Sequence, residues 1–454
     1  MTSRTEMTRS TLSMWEGDAS QCVGSALGSI HLPSRALRIN HTSPRTRTRP
    51  TPGRTANGER DGGGPSCYHR SMSYVETEEQ QMLRKQVSDI GRKYGREYYA
   101  EKAKEGLSPT ELWEEVGRHG FIGVNTPEEY GGGGLGIYEL AIVCEELAAA
   151  GCPLLLLLVS PAICATVIAK FGTDAQKERW LPRLASGESK MAFAITEPNA
   201  GSNTHRLETS ATPEGEGWVL NGTKCYISGA DDADAILVVT RTGGAEGGRG
   251  RLSLFIVDAD APGLEKTLIR MQIQGADRQF TLFFDNVRLG SDRLLGNEGQ
   301  GLSQVFVGLN PERILGAALA NGAALSAIDQ ASRYANEREV WGKPIGAHQG
   351  IAHPLAQAKI EVELARVMTM KAAWLYDHGH DAGEAANMAK YAAGEAATNA
   401  VDTAIQVHGG NGMSEEYGLV SLWGMARTLR IAPVSREMIL NFIAQHSLEL
   451  PKSY

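Results

Sequence analysis

The sequence lacks the cysteine patterns of metal-binding and disulfide-rich proteins. Only six of its 454 residues are cysteine, and no two of them form a CxxC pair or stand at the spacing of metal ligands. Structural zinc sites and small secreted domains depend on such patterns. We therefore expect reduced thiols in a cytosol-like compartment and no metal site.

A strong charge of one sign and a long hydrophobic run are absent too. The formal net charge is -8 and the isoelectric point is near 5.8, so nothing in the charge favours nucleic acid as a partner. The longest apolar run, residues 153–168, is interrupted by Ser160 and Pro161 and is short for a membrane span. We interpret this run as a buried helix and expect no integral membrane segment.

Residues 1–72 differ in composition from the rest of the chain. They are rich in Arg, Ser, Thr, Gly and Pro, contain no Lys and show no apolar periodicity, which predicts a disordered extension. A mitochondrial transit peptide is one alternative, although acidic residues argue against it, so the expected location is cytoplasmic. The interpretation that we favour is that translation starts at Met72.

Hydrophobic periodicity divides the remaining chain into three domains, 73–190, 191–300 and 301–454. The first has helical spacing, with helices expected at 76–98, 109–119 (capped by Ser108) and 138–150. The second alternates with a period of two, and the strand-like segments are 218–220, 235–239, 252–257 and 280–284. The third consists of long Ala-rich helices. The sequence thus predicts an α+β fold: a helical domain, a middle β-barrel or sandwich, and a domain like a four-helix bundle.

Two segments have the character of ligand-binding elements. Residues 194–203 (AITEPNAGSN) form a turn in which backbone N–H groups and hydroxyls can remain free for a ligand. Residues 221–228 (NGTKCYIS) alternate, which places the ring of Tyr226 and the hydroxyl of Ser228 on one face of a strand.

The order and spacing of these segments resemble the acyl-CoA dehydrogenase family. Three further motifs extend the resemblance from about residue 74 to the C-terminus: KFGT at 170–173 with Gln176, Trp180, Leu181 and Pro182, FDNV at 284–287, and QVHGGNG at 406–412. The resemblance implies an FAD-dependent enzyme that introduces an α,β double bond into an acyl-CoA. It also implies an electron-transfer flavoprotein as acceptor and assembly into a homodimer or homotetramer.

The same resemblance implies which residues hold FAD. Tyr226 stands where Trp is usual, and Ser228 replaces the usual Thr while keeping a hydroxyl that can bond flavin N5. Arg338 matches the arginine that reaches the pyrophosphate, commonly of a neighbouring subunit. The residues implied for cofactor binding are Phe193, Ile195, Thr196, Ser202, Tyr226, Ile227, Ser228, Arg338, Trp341, Gln349, Gln406, Gly409, Gly410 and Ser435.

The catalytic base is implied at Glu312. Most family members carry the base near the C-terminus, where this chain has Pro433, whereas isovaleryl-CoA and long-chain enzymes carry it just before a substrate-site arginine, here Arg313. Ser202, Asn310 and Arg313 are the implied substrate contacts. An alternative reading of the residues alone is that Asn310 caps a helix, Pro311 occupies its first turn and Glu312 complements the helix dipole. A helix terminus and Arg313 would lower the pKa of Glu312, whereas burial would raise it.

Pro433 also bears on the polarisation of the thioester. In the family the backbone N–H at this position holds the thioester oxygen, and proline has none. Either the amide of Val434 replaces it or polarisation is weaker. Two other functions therefore stay open: an oxidase, monooxygenase or enoyl-CoA reductase on the same fold, and a non-catalytic FAD-binding assembly protein.

Overall fold

The computed structural model describes residues 76–243, 251–273 and 275–452. The expected disordered extension, 1–72, lies outside the described residues. Within them the chain is α+β, with a helical part, a sheet and a second helical part in that order, as predicted. None of the helices in the described ranges is both long and apolar enough to cross a membrane.

Six helices form the N-terminal part, and they confirm the helical periodicity there. Thr77 begins the first of them, because its hydroxyl accepts a hydrogen bond from the N–H of Gln80 at 3.2 Å. The predicted cap at Ser108 is wrong: the second helix begins after Pro109, and no side chain caps it. The bounds are α1 Glu78–Glu105, α2 Thr110–Arg118, α3 Ile137–Ala149, α4 Leu156–Val159, α5 Thr166–Phe171 and α6 Asp174–Ser186.

The apolar run is a buried helix, as expected, but its middle turn is widened. A π-helical turn, Ser160–Ala165, joins α4 to α5, and all six of its residues are buried. Pro161 lies in this turn and has no N–H to give to a regular helical hydrogen bond. Periodicity alone does not reveal such a turn.

Eight strands form the middle sheet, in the order β6-β7-β3-β2-β4-β5-β8 with β1 beside β4. A single residue pair, Ser210 with Arg241, joins β2 to β4, so the sheet has two halves. Inward-facing residues of β3 and β7 share one buried cluster with those of β1, β4 and β5, which makes the two halves a sandwich. The bounds are β1 Met191–Ala194, β2 Ser210–Glu214, β3 Gly217–Ser228, β4 Ala235–Arg241, β5 Leu252–Asp258, β6 Leu264–Ile269, β7 Gln279–Leu289 and β8 Leu294–Leu295.

Long helices form the C-terminal part, where α7 packs against α3, α8 and α9. A short hairpin, β9 Glu339–Val340 and β10 Lys343–Pro344, separates α7 from α8. The helices are α7 Gly301–Glu337, α8 Gln349–Asp377, α9 Gly383–His408, α10 Leu419–Thr428 and α11 Arg436–His446.

Pro311 lies in the interior of α7, ten residues after its start. A proline there cannot bond the carbonyl four residues earlier, that of Val307. The hydroxyl of Tyr376, from α8, donates to this carbonyl at 2.9 Å and replaces the lost bond. The alternative that Asn310 caps a helix beginning at Pro311 is therefore wrong, and Glu312 is not at a helix terminus.

Candidate functional site

A buried ion pair joins the two segments that the sequence singles out. Lys224 of β3 donates from Nζ to the Glu197 carboxylate at 2.8 Å and to the carbonyl of Ile195 at 2.9 Å. The N–H of Cys225 donates to the carbonyl of Thr196 at 3.0 Å. The loop after β1 and the end of β3 are thus held together as one unit.

The carboxylate of this pair is fully satisfied from the protein side. Glu197 also accepts from the N–H groups of Glu208 at 2.6 Å and Thr209 at 3.0 Å. Burial alone would raise the pKa of Glu197, but the Lys224 ammonium and the two N–H donors outweigh burial and hold the pKa below its usual value. The sequence predicts no role for either residue. Strict alternation places Lys224 on the same face as Tyr226 and Ser228, whereas the interrupted pairing of β3 after Lys224 separates the buried lysine from the exposed tyrosine.

The end of β3 is irregular at the predicted flavin contact. Pairing with β7 is interrupted between Lys224 and Ile227, and Tyr226 has a φ of 58° and a side chain that is 59% exposed. The Ile227 side chain lies in the core of the sandwich, so only its backbone is available to a ligand. Beyond the bulge, Ser228 pairs with Gln279 of β7. Tyr226 is exposed, Ser228 is partly exposed and Ile227 is buried, while the positive φ of Tyr226 interrupts the regular alternation on which the predicted shared face rests.

Helix α4 lies between this strand and helix α7. Leu156 packs against Gly229, since a Cβ built on that glycine would lie 2.8 Å from its side chain. On the other side, a Cβ built on Gly316 of α7 would lie 3.7 Å from Leu158. The site is therefore formed where all three parts of the fold meet.

Glu312 lies on α7 one turn before Gly316. Burial raises the pKa of Glu312 to about 7, against the cations of Arg313 and Lys390, which lower it. Of the two opposing influences named from the sequence, burial is the larger. The neighbouring Arg313 donates to the Asn310 side chain at 2.8 Å, which fixes two predicted substrate contacts relative to each other.

The Cys164 thiol of the π turn lies beside β1, with its Sγ 3.7 Å from the carbonyl of Ala192. Burial, and after it the charge of Glu312, raises the pKa of this thiol. The π turn also packs against α7, since a Cβ built on Gly308 would lie 3.0 Å from the Cα of Ile163. The π turn therefore contacts both β1 and the part of α7 that precedes Glu312.

Pro433 lies over the same stretch of α7. Its Cδ is 3.6 Å from a Cβ built on Gly316, which places the proline beside the turn that follows Glu312. Lys390 of α9 donates to the carbonyl of Val434 at 2.5 Å and so anchors this loop to the bundle. Sequence reasoning missed Lys390, because a lysine in an Ala-rich helix gives no sign of being buried.

The remaining predicted cofactor residues lie on the C-terminal helices and the hairpin. Trp341, at the hairpin tip, is 89% exposed with a φ of 52°, and Arg338 just before it is exposed. Gln349, Gln406, Gly409 and Gly410 are also exposed. The Ser435 hydroxyl accepts from the N–H of Met438 at 3.3 Å and begins α11, so this side chain already has a structural partner.

Within the described ranges, no hydrogen bond or ion pair joins the hairpin to the loop at Thr196 or to Tyr226. The structure of a single chain therefore groups the predicted residues in two sets. The first comprises Phe193 to Ser202, Tyr226 to Ser228, Glu312 and Pro433, and the second comprises the hairpin and the residues from Gln406 to Gly410.

The residues of the first set suit a flavin. The Tyr226 ring is exposed beside the loop, and in the described part of the chain the hydroxyls of Thr196 and Ser202 have no hydrogen-bond partner. In the second set, the guanidinium of Arg338 is likewise without an ion pair among the described residues, and a Cβ built on Gly409 or Gly410 would meet no atom within 4 Å. An open aromatic face, free hydroxyls, a free guanidinium and an accessible backbone are the groups that an isoalloxazine and a pyrophosphate require.

Known proteins resemble this chain over the same range. Profiles of the acyl-CoA dehydrogenase N-terminal, middle and C-terminal domains match residues 77–188, 192–287 and 299–448. The acyl-CoA dehydrogenase FadE12 of Mycobacterium tuberculosis is 57% identical over 384 residues, 84% of this chain and 99% of the relative.

Two solved structures have the same fold. A glutaryl-coenzyme A dehydrogenase with glutaryl-CoA superposes with a TM-score of 0.79 at 34% identity, over 83% of this chain and 97% of that one. The butyryl-CoA dehydrogenase of Megasphaera elsdenii superposes with a TM-score of 0.78 at 30% identity, over 82% and 99%.

Proposed function

Because this chain belongs to the acyl-CoA dehydrogenase family, we propose that it introduces an α,β double bond into an acyl-CoA thioester, with Glu312 as the base that removes the α-proton. The family consists of FAD-dependent oxidoreductases, and FAD is the cofactor of this protein. When bound, FAD supplies the hydride acceptor for the β-carbon. The residues that we propose for its binding are those implied by the family resemblance: Phe193, Ile195, Thr196, Ser202, Tyr226, Ile227, Ser228, Arg338, Trp341, Gln349, Gln406, Gly409, Gly410 and Ser435.

The observation that carries the assignment of the base is the environment of Glu312. The α-hydrogen of a thioester is weakly acidic, and a base is most effective when its pKa is near the working pH. Burial raises the pKa of Glu312 to about 7 against the cations of Arg313 and Lys390, and Pro433 lies against Gly316, one turn further along the same helix. When it is deprotonated, the Glu312 carboxylate can accept the α-proton at one of its oxygens.

We propose that the backbone N–H of Val434 donates a hydrogen bond to the thioester oxygen, because Pro433 has no N–H. The N–H of Ala432, on the other side of the proline, donates to the carbonyl of Thr428 at 2.9 Å. The N–H of Val434 has no acceptor among the residues that the structure describes. An amide that is not engaged in the fold can donate to a developing negative charge without losing a bond.

A dimer or tetramer and an electron-transfer flavoprotein belong to the same proposal. Large apolar side chains on α8 are exposed at helical spacing, which supports assembly: Ile360, Leu364, Val367 and Trp374. Assembly would also bring the hairpin of Arg338 and Trp341 to a neighbouring subunit. The electron-transfer flavoprotein, as the electron acceptor, is inferred from the family alone.

The test of the function is flavin bleaching. The purified holoprotein is mixed anaerobically with acyl-CoAs of different chain length and branching, and the flavin absorbance is followed. We expect rapid bleaching with at least one of them, and a rate at least ~100-fold lower in Glu312→Gln, since a positioned base contributes about 10²–10⁴-fold. Glu437→Gln is the control, because Glu437 lies in the C-terminal segment where other members carry the base, and it should bleach at the wild-type rate.

Other results of the bleaching experiment would favour one of the alternative functions. Bound FAD that no acyl-CoA reduces would favour a non-catalytic assembly protein. Fast oxygen consumption by the reduced protein would favour an oxidase or monooxygenase. Equal bleaching in Glu312→Gln and wild type would contradict the base assignment while leaving the dehydrogenase activity intact.

A further inference from the structure

The hydroxyl of Ser228 has a side-chain partner that the sequence did not reveal. Ser228 and Gln279 are paired residues across β3 and β7. The Gln279 amide lies against the hydroxyl, with Nε2 2.9 Å and Oε1 3.1 Å from Ser228 Oγ. Both side chains are half-buried, so water competes with this contact only in part.

A backbone carbonyl determines which way the Gln279 amide points. Nε2 also lies 3.5 Å from the carbonyl oxygen of Asp277, which can only accept. The end of the amide that faces this carbonyl must therefore be the NH₂ group. Asp277 is held in place in turn, because its carboxylate accepts from the N–H of Leu155 at the start of α4, at 2.9 Å.

This orientation leaves the proton of Ser228 with a choice of acceptor. A serine hydroxyl has one proton and two lone pairs. Nε2 donates to Oγ at 2.9 Å, which occupies one lone pair whatever the direction of the O–H bond. The proton can then point to Gln279 Oε1 or away from Gln279, toward a ligand.

We propose that Gln279 is a positioning residue that holds Ser228 as an acceptor and so directs its proton to the flavin N5 region. This inference rests on the proposed function, since it gives Ser228 its flavin. A neutral amide oxygen at 3.1 Å is a weak competitor for the proton, whereas an ionised acceptor in the same position would retain it. The NH₂ group of Gln279 is the feature that a glutamate lacks.

The experiment measures the reduction potential of the bound flavin by anaerobic titration against a reference dye, without any acyl-CoA. A donor at N5 favours reduction, so Ser228→Ala should lower the ratio of reduced to oxidised flavin by ~10-fold at a fixed potential, which is about 30 mV for a two-electron couple. Gln279→Glu should lower it by a similar factor, because the carboxylate captures the Ser228 proton. Gln279→Met removes the donor that orients the Ser228 hydroxyl together with the competing acceptor, so the ratio should fall by an intermediate factor of roughly threefold.

The double variant Ser228→Ala/Gln279→Glu separates this mechanism from the charge of a new carboxylate. If Gln279 acts through Ser228, glutamate has little further effect once the hydroxyl is gone. An equal effect of Gln279→Glu with and without Ser228, or no effect in either background, would overturn the proposal. A wild-type protein that retains no FAD would instead contradict the proposed function.

Discussion

The pKa of the Glu312 carboxyl depends on its burial and on the charged groups around it. Two cations lower this pKa, those of Arg313 on α7 and Lys390 on α9, whereas burial raises it. Lys390 is itself faced by Glu312, Arg313, Glu437 and Glu395, and burial lowers its pKa to about 8. The pKa of Glu312 therefore stays near 7, because burial raises it while the two cations lower it.

A pH dependence follows at the scale of the residue. Glu312 must be ionised to accept a proton, so kcat/KM should rise through about pH 7 and fall about tenfold per unit well below it. In Lys390→Met the loss of a cation raises the pKa of Glu312, and the acidic limb should move to higher pH. The measurement is the pH profile of kcat/KM, whose acidic limb gives the pKa of the base in the free enzyme.

Two further variants accompany this profile. Lys390→Arg keeps the charge and should leave the limb near its wild-type position. Glu437→Gln removes a carboxylate that raises the pKa of Lys390, so Lys390 loses part of its charge and the limb should move slightly toward higher pH. A lower plateau in Lys390→Met without movement of the limb would mean that Lys390 acts only through the Val434 carbonyl.

At the scale of the element, the Lys224–Glu197 pair decides how β3 and the loop after β1 fit together. The side chains are 0% and 4% exposed, so removing one partner leaves an uncompensated buried charge. Lys224→Met should lower the free energy of unfolding by about 3–5 kcal/mol. It should also weaken FAD binding, because the loop and the strand both contact the flavin in our proposal.

Thermal unfolding and a fluorescence titration with FAD measure the two effects. The double variant Lys224→Met/Glu197→Gln should recover much of the stability, since no charge remains buried and the amide oxygen can still accept from the N–H groups of Glu208 and Thr209. Arg288→Met is the control, as its ion pair with Glu214 in the same sandwich is exposed and should contribute about 0–1 kcal/mol. If Lys224→Met and Arg288→Met lowered the free energy of unfolding by similar amounts, burial would not explain the contribution of the Lys224–Glu197 pair.

At the scale of the molecule, the exposed stripe on α8 predicts an assembly of identical chains. Leu364 is 68% exposed in its centre, and burying it in an interface would remove apolar surface from water. Leu364→Glu should shift the protein to a smaller species in size-exclusion chromatography with light scattering. FAD content should fall with it if Arg338 and Trp341 reach the cofactor of a neighbour.

Met82→Glu is the matched control, because Met82 is comparably exposed but lies on α1. It should leave the assembly state unchanged. A wild-type protein that is monomeric at micromolar concentration would contradict the assembly proposal directly.

Much of the fold could be predicted because its signals are local. Helical spacing anticipated α1, α2 and α3, and alternation anticipated β3, β4, β5 and β7, since one buried face repeats at 3.6 or 2 residues. Local rules were wrong where a distant group intervened. Asn310 and Pro311 have the chemistry of a helix start, yet the hydroxyl of Tyr376 satisfies the Val307 carbonyl and lets α7 continue.

The sequence by itself determined the family, the cofactor and the candidate base, because these depend on residue types in a fixed order. Only the tertiary structure decided what surrounds them. Burial rather than a helix terminus sets the pKa of Glu312, Lys224 joins the loop after β1 to β3, and Gln279 faces Ser228. Each of these depends on groups far apart in the chain, and desolvation and hydrogen bonding act over a few ångströms in space rather than along the sequence.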